Sequence, residues 1–365
     1  MGKDLLGDEY GRFWNIPLEL ARLGHSVTGC CLSYQHCRTQ YSKNINEFAL
    51  TWRSVNVGLF KPFGPAEYCR MVLRAASTVR PDIILTFSDS IYAILGAWLA
   101  PKVKSKLVVD CYDNFESYAS AKIPFVLPLF KHVIRKADAV TTNSQILAHK
   151  ILSEYAPQGP VRPIENGVDS KIFFPQDRNQ ARESFRLPRE AILIGTAGAL
   201  HRNRGMEILF KGFEKLSAQY PNLHLVLAGA REPRLQLPDH SHVHYLGMLP
   251  LDKIPQFISM LDLAVICNKP SKFGNYCFPQ KVYEILACKV PLLAARVGAI
   301  VDLLKDHQRL LFEPDNLEDF IEKSKFLIDN PEQTLNIEIQ TWAGLAKKME
   351  NLFFELLAKP ALKSP

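Results

Sequence analysis

No apolar run in this 365-residue sequence continues unbroken for about eighteen residues, the length a helix needs to cross a bilayer. The nearest stretch, IILTFSDSIYAILGAWLA, is interrupted by Ser88, Asp89 and Ser90. The start shows no secretory pattern of a basic segment, an apolar segment and a small-residue cleavage site. The chain is therefore expected in the cytoplasm and free of disulfides. Its eight cysteines include no C-x-x-C pair and no zinc-like set. Cys31, His36 and Cys37 come nearest, and buried thiols acting as small hydrophobes explain the pattern. Lysines and arginines number 44 against 37 acids, a net charge of +7. They are scattered, without the aromatic and basic clustering of nucleic-acid binders, so nucleic acid is not an expected partner. Mild basicity fits an anionic substrate or an anionic membrane surface. No acidic cluster or metal-ligand spacing stands out, so neither a metal nor another cofactor is expected. GTAGALH, starting at Gly195, is not a G-x-G-x-x-G fingerprint, which removes the main support for hydride transfer.

What the sequence does have is alternation. Short β-branched runs alternate with helical patterns, which argues for parallel sheets covered by helices. In the first half the strands are HSVTGCCLS, SVNVGLF, DIILTF, KLVVDC and DAVTTN, with helical patterns between them. PQGPVRPIENGVDSKIFFPQDR, rich in Pro, Gly and polar residues, reads as a link between two domains. A second series follows with strands at AILIGTAG, LHLVLAG, HVHYLG, DLAVIC and KVPLLAA. Trp342 opens a long amphipathic helical stretch. The expected fold is α/β, with two doubly wound Rossmann-like domains facing a central cleft. Residues 1–170 are expected to form the N-terminal domain and 171–340 the C-terminal one. Residues 341–365 form a helix returning toward the first domain. Doubly wound domains normally open with a strand, yet MGKDLLGDEYGRFWNIPLELARLGHSV goes straight into a polar loop and a helix. The first sheet is thus expected to show a gap or edge where that strand belongs, or to fill it with Lys3 to Leu6. A natural reading frame starting upstream is the alternative.

In NYCFPQKVYEILACKVPLLAA, Lys281 and Glu284 stand one helical turn apart among apolar flanks. Pro279 suits a first helical turn, because its missing N–H is a donor the helix leaves free anyway. The amides of Gln280 and Lys281 then point along the positive end of a helix, a ready place for phosphate. Lys281 adds a mobile positive charge, and Glu284 can accept both hydrogens of a ribose diol. The competing account is a surface ion pair at i, i+3. At the end of KLVVDC, Asp110, Tyr112 and Asp113 lie where open α/β sheets present ligands. Tyr112 and Asp113 are candidates to contact a ligand there, against simple loop capping.

Several blocks occur in one order: LARLGHSV, KADAVTTNS, IENGVDSKIFFP, GTAGALHRNRGMEILFKGF, LVLAG, YLGMLP and FPQKVYEILACKVPLLAARVGAIVDLL. With them the chain resembles the retaining, nucleotide-sugar-dependent glycosyltransferases of the GT-B fold, the group 1 or family 4 enzymes. The resemblance implies a diphosphate grip from Gly198, Arg202, Arg204, Gln280 and Lys281, with Arg204 and Lys281 as the catalytic cations and Glu284 on the nucleotide. Family members usually carry a glutamate eight residues before Glu284; here Tyr276 stands there, a donor-binding candidate whose hydroxyl can still hydrogen-bond a sugar and whose ring can pack on one. Family members also carry an arginine where this chain has Ala199. His201, Arg202 or Lys281 would compensate for the latter. The resemblance also makes residues 1–170 the acceptor-side domain, with Tyr112 and Asp113 toward acceptor or sugar, and 171–340 the nucleotide-sugar domain. Gly11 and Arg12 match loosely a glycine loop facing the diphosphate, on the acceptor or sugar side. His25, Asn166 and Gly167 are assigned to turns, with glycine allowing and asparagine tolerating positive φ. AKIPFVLPLFKHVIRK, ending in Lys131, His132, Arg135 and Lys136, either packs on the sheet or rests on an anionic membrane.

The resemblance implies transfer of a hexose-type sugar from a nucleotide-diphosphate donor to an acceptor hydroxyl of a glycan or lipid-linked glycan, with retained configuration. A catalytically degraded sugar-nucleotide-binding protein and a sugar-nucleotide epimerase are the alternatives.

Overall fold

The apolar runs of the first half become short strands because each is bounded by turn residues and covered, fully or in part, by packing against helices. The computed structural model describes residues 4–33, 40–45, 47–57, 64–331 and 337–358. It divides into two units, Met1–Asn166 with Thr341–Pro365, and Gly167–Gln340. His36, Cys37, Lys3 and the tail of SVNVGLF from Gly58 lie outside the described residues.

In the first unit the order is α1 (Leu5–Asp8), α2 (Gly11–Arg22), β1 (Val27–Ser33), β2 (Gln40–Ile45), β3 (Leu50–Asn56) and α3 (Gly64–Val79). Then come β4 (Ile83–Thr86), α4 (Ser90–Val103), β5 (Lys106–Cys111), α5 (Val126–Lys136), β6 (Ala139–Thr142), α6 (Gln145–Tyr155) and β7 (Val161–Pro163). The second unit runs α7 (Arg178–Ser184), β8 (Ile192–Ala197), α8 (Met206–Ser217), β9 (Leu223–Ala228), β10 (Val243–Tyr245), α9 (Ile254–Ser259) and β11 (Leu263–Ile266). It closes with α10 (Lys281–Ala287), β12 (Leu292–Ala295), α11 (Ile300–Leu303), β13 (Leu311–Phe312) and α12 (Leu317–Asp329). The chain then returns to the first unit as α13 (Trp342–Ala358).

The second unit holds one six-stranded parallel sheet, ordered β10-β9-β8-β11-β12-β13. The first unit holds two sheets, β1-β3-β2 and β4-β5-β6-β7. Both β1 and β4 are edges, yet the same helices cover them. Val27 of β1 and Ile83 and Leu85 of β4 pack on one cluster with Ile16 and Leu20 of α2 and Trp342, Leu345 and Met349 of α13. On the other face, Cys30 and Leu32 of β1 meet Tyr92 and Leu95 of α4 around Val55, Tyr68 and Met71. The two sheets therefore form one helix-covered layer interrupted between β1 and β4, and among the described residues no strand pairs with both. The layer is interrupted where the central strand was expected to be missing.

The alternative filling does not occur. Asp4 caps α1 by accepting from the amides of Leu6 and Gly7, both at 3.1 Å. Leu6 is instead buried beside Trp14, Leu50 and Trp52. The edge strands β2 and β7 were not anticipated, since QYSKNI is polar and VRP ends in proline, tolerated only at a sheet edge. In the link, neither Asn166 nor Gly167 has positive φ. The turn reading thus fails in its reason, the positive φ, and both residues are buried.

Candidate active site

Gly198 follows β8 at the carboxyl end of the sheet, where open α/β sheets place their ligands. Its amide donates to Ala228 O at 2.8 Å, keeping the chain beside the end of β9. Its φ is +123°, and a Cβ here would stand 2.5 Å from Lys281 Nζ. Only glycine fits, and the lysine ammonium therefore lies directly on the backbone at the strand end. Lys281 is the first residue of α10. Pro279 was expected inside the first turn; it instead precedes the N-cap, Gln280. Val282 N–H donates to Pro279 O and Tyr283 N–H to Gln280 O, both at 3.0 Å, so the entry is tightened by i to i+3 bonds.

Lys281 is half-buried. Burial depresses its pKa, and the nearby Arg204 depresses it further, while Glu284 acts in the opposite direction. Arg204 is thus within electrostatic reach of the Lys281 ammonium that lies against Gly198, with one carboxylate a turn away. Glu284 Oε1 accepts from Gln280 Nε2 at 3.0 Å, which orients the carboxylate along α10. Arg204 ends a 3-10 turn, Arg202–Arg204, closed by Gly205 at φ +73°. Its guanidinium lies over the ring of Phe273, 4.2 Å from the centroid. Arg202 is exposed and is fixed through its backbone, its amide donating to Glu232 Oε2 at 3.1 Å. Ala199 is exposed. Tyr276, half-buried, sits in the turn that carries Phe273. Gly198, Arg204, Gln280, Lys281 and Glu284 are therefore brought together.

The first-unit candidates turn out differently. Gly11 opens α2 with φ +65°. Arg12, expected to face donor or acceptor, is 3% exposed. Its Nε and Nη2 donate to the two oxygens of Asp110 at 2.7 Å each, and Nη1 donates to Glu165 O at 2.6 Å. Thr141 Oγ1 also donates to Asp110. This forked pair anchors the start of α2 to the carboxyl end of β5, so Arg12 serves the core. Asp113 is buried and accepts from the Asn114 amide at 2.8 Å and from Tyr118 Oη at 3.1 Å. Tyr112 and Tyr118 share a hydroxyl hydrogen bond of 2.7 Å. Loop closure, the bland reading, thus describes Asp113, and burial pushes both tyrosine hydroxyls upward in pKa. Phe273 escaped the sequence reading; its only signal was an aromatic beside glycine in KFGNY. Among the described residues no group of three or more His, Cys, Asp or Glu side chains is placed to hold a metal ion.

Comparison with known proteins places these features in a family. Residues 12–167 match a model described as "Glycosyl transferase 4-like domain", and residues 191–330 one described as "Glycosyl transferases group 1". A D-inositol 3-phosphate glycosyltransferase of Kribbella flavida is 23% identical over 75% of this chain and 70% of its own length. An N-acetyl-alpha-D-glucosaminyl L-malate synthase of Bacillus anthracis is 22% identical over 83% of this chain and 78% of its own. Among solved structures, sucrose-phosphate synthase from Thermosynechococcus elongatus superposes with a TM-score of 0.73 at 18% identity, covering 94% of this chain and 92% of that one. The catalytic domain of starch synthase IV from Arabidopsis thaliana, bound to ADP and acarbose, also reaches 0.73, at 15% identity and covering 98% and 97%. Anabaena HepE in complex with UDP-glucose gives 0.64 at 15% identity, covering 90% and 96%.

Proposed function

The chain belongs to the group 1, or family 4, glycosyltransferases of the GT-B fold, and from that premise we propose that its donor is a nucleotide-diphosphate sugar whose configuration is retained. The observation that carries this reading is the pair of cations at the end of β8, with the Lys281 ammonium on the Gly198 backbone and Arg204 beside it. A diphosphate is the leaving group that such a pair would stabilise. In the reaction the bond between the sugar's anomeric carbon and the β-phosphate oxygen breaks, and its electron pair leaves with the diphosphate. The acceptor hydroxyl forms the new bond on the same face and gives its proton to the departing phosphate. Lys281 and Arg204 meet the charge as it develops, and Glu284 accepts from the ribose diol. No metal takes part in this scheme, so activity should persist in excess chelator; loss restored by magnesium or manganese would refute that arm.

The acceptor is proposed to be a glycan or a lipid-linked glycan in a biosynthetic pathway, handled at the inner face of a membrane. Support for membrane contact comes from the apolar residues Trp98, Ile123, Phe125 and Leu129, all exposed, Phe125 by 77%. Lys102 sits 4.7 Å from the Trp98 ring, and Lys122, Arg135 and Lys136 are exposed nearby in sequence. Among the described residues no helix is long and apolar enough to cross a membrane. The deciding experiment is a thermal-shift screen of UDP, GDP and ADP. One of them should raise the melting temperature, and silence from all three would sink the donor assignment.

A further inference from the structure

Two cations at one strand end repel each other, so each must be held there before an anion arrives. Lys281, half-buried at the start of α10, lies with its ammonium against Gly198. Arg204 is held by an aromatic ring. Its guanidinium carbon lies 4.2 Å from the centre of the Phe273 ring, the arrangement in which a ring's negative face attracts a cation. We propose that Phe273 is a positioning residue for the transfer reaction, fixing the Arg204 guanidinium where the departing diphosphate forms. This rests on reading Arg204 and Lys281 as the diphosphate site.

The turn that carries the ring is itself pinned. Phe273 O accepts from the amides of Tyr276 and Cys277 at 3.2 and 3.1 Å, and Ser271 O accepts from the Asn275 amide at 3.0 Å. Ser271 Oγ accepts from the Gly274 amide at 2.8 Å. Gly298 passes so close to Gly274 O that a Cβ at 298 would overlap it. Phe273 is therefore presented on a braced turn, and a ring on such a turn can order its partner. The partner must then be arginine. A planar guanidinium stacks by its face while its N–H fork stays available at the edge, whereas a lysine ammonium is a strongly hydrated point charge. Ordering the side chain in advance lowers the entropy lost when the anion binds. The stack and the arginine at 204 are thus one device, and Arg204→Lys is not a conservative change in this chain.

The test is a double-variant cycle on the full chain with Phe273→Leu, Arg204→Met and both together, and with Phe273→Tyr as the conservative variant. Calorimetric titration with UDP, GDP and ADP reads affinity for the leaving group with its charge fully developed. Melting temperatures without nucleotide read the stack by itself. Phe273→Leu should weaken the best-bound nucleotide by about tenfold, within the range of a partly desolvated cation–π contact. Phe273→Tyr should keep the parental affinity, and Phe273→Leu should add nothing once Arg204 is Met. Losses that multiply in the double variant would show that Phe273 acts without Arg204 and would overturn the proposal. Unchanged affinity for all three nucleotides in Arg204→Met would instead overturn the diphosphate reading beneath it. In that event non-additive melting temperatures would assign the stack to the fold alone.

Discussion

Arg204 and Lys281, both half-buried, meet an anion differently, because one is a planar guanidinium on the Phe273 ring while the other is an ammonium set against Gly198. Donor and leaving group both carry charge, but the charge on the leaving group grows as the sugar departs. Arg204→Ala should therefore lower turnover more than donor affinity. Removing one preorganised donor to a developing charge typically costs about 10²–10³ in rate. Steady-state kinetics decide it: a raised Michaelis constant with unchanged turnover would make Arg204 a ground-state binder. Glu284→Ala should weaken nucleoside diphosphate binding while the fold survives, since its carboxylate is half-buried and leans on Gln280, itself half-buried, at the helix entry. Unchanged affinity by titration ends the ribose role. Lys281 and Glu284 were legible in the sequence because charges rarely stand in so apolar a setting without a partner. Arg12 was misread for the opposite reason. Its partner Asp110 is 98 residues away, and nothing local distinguishes an arginine that will be buried in a forked pair from one that will face a ligand.

At the scale of elements, β9, β10 and the segment leading into β10 bring four histidines together. His224 of β9 stacks on His242, their ring centres 4.0 Å apart, and shares an N···N hydrogen bond of 2.9 Å with His244 of β10. His240 meets His242 edge-on at 5.1 Å and Phe213 of α8 at 5.3 Å. Burial and the neighbouring imidazoles push His224 down from 6.5 to about 4, and the same causes lower His244. The sign follows from linkage. Between those pH values the unfolded chain binds a proton that the folded one refuses, so stability falls as pH falls from 6.5 to about 4. His224→Leu should flatten that slope, as read by urea unfolding across the same window; an unchanged slope would place the acid sensitivity elsewhere. Strand β9 itself was plain in the sequence, its apolar residues LxLVLA running as buried parallel strands do. The stack was not, because ring contact depends on the register of two strands: Val243 pairs with Leu225 and His244 with Val226. Edge strands were the hardest to read. β2 is antiparallel and polar, and β7 is three residues long, so neither offers a periodicity to detect.

Over the whole chain, the two units do not depend on their ends in the same way. The second is continuous, and its core draws on residues from Val168 to Leu327. Its two ends are tied by the bond from the Val168 amide to Gln340 O at 2.9 Å. The first unit is discontinuous and is completed by α13, whose Trp342, Leu345, Met349, Leu352, Phe353 and Leu356 enter the cluster formed with Ile16, Leu20, Val108, Ala139 and Ile164. His25 Nε2 and Glu350 Oε1, 2.9 Å apart, add a polar tie between the α2–β1 turn and α13. Fully burying one large apolar side chain contributes about 1.5–3 kcal/mol. Six such residues together contribute about 9–18 kcal/mol, comparable with the roughly 5–15 kcal/mol net stability of an ordinary domain. The interruption between β1 and β4 leaves this unit without the backbone pairing of an unbroken sheet, so side-chain burial by α2 and α13 must hold its two sheets together. A chain ended at Gln340 should accordingly lose the first unit and keep the second. In hydrogen exchange, amides of β1, β5 and β6 should lose protection, while those of β8, β9 and β11 keep theirs. Full protection of β5 and β6 in the shortened chain would show that the four-stranded sheet stands without α13.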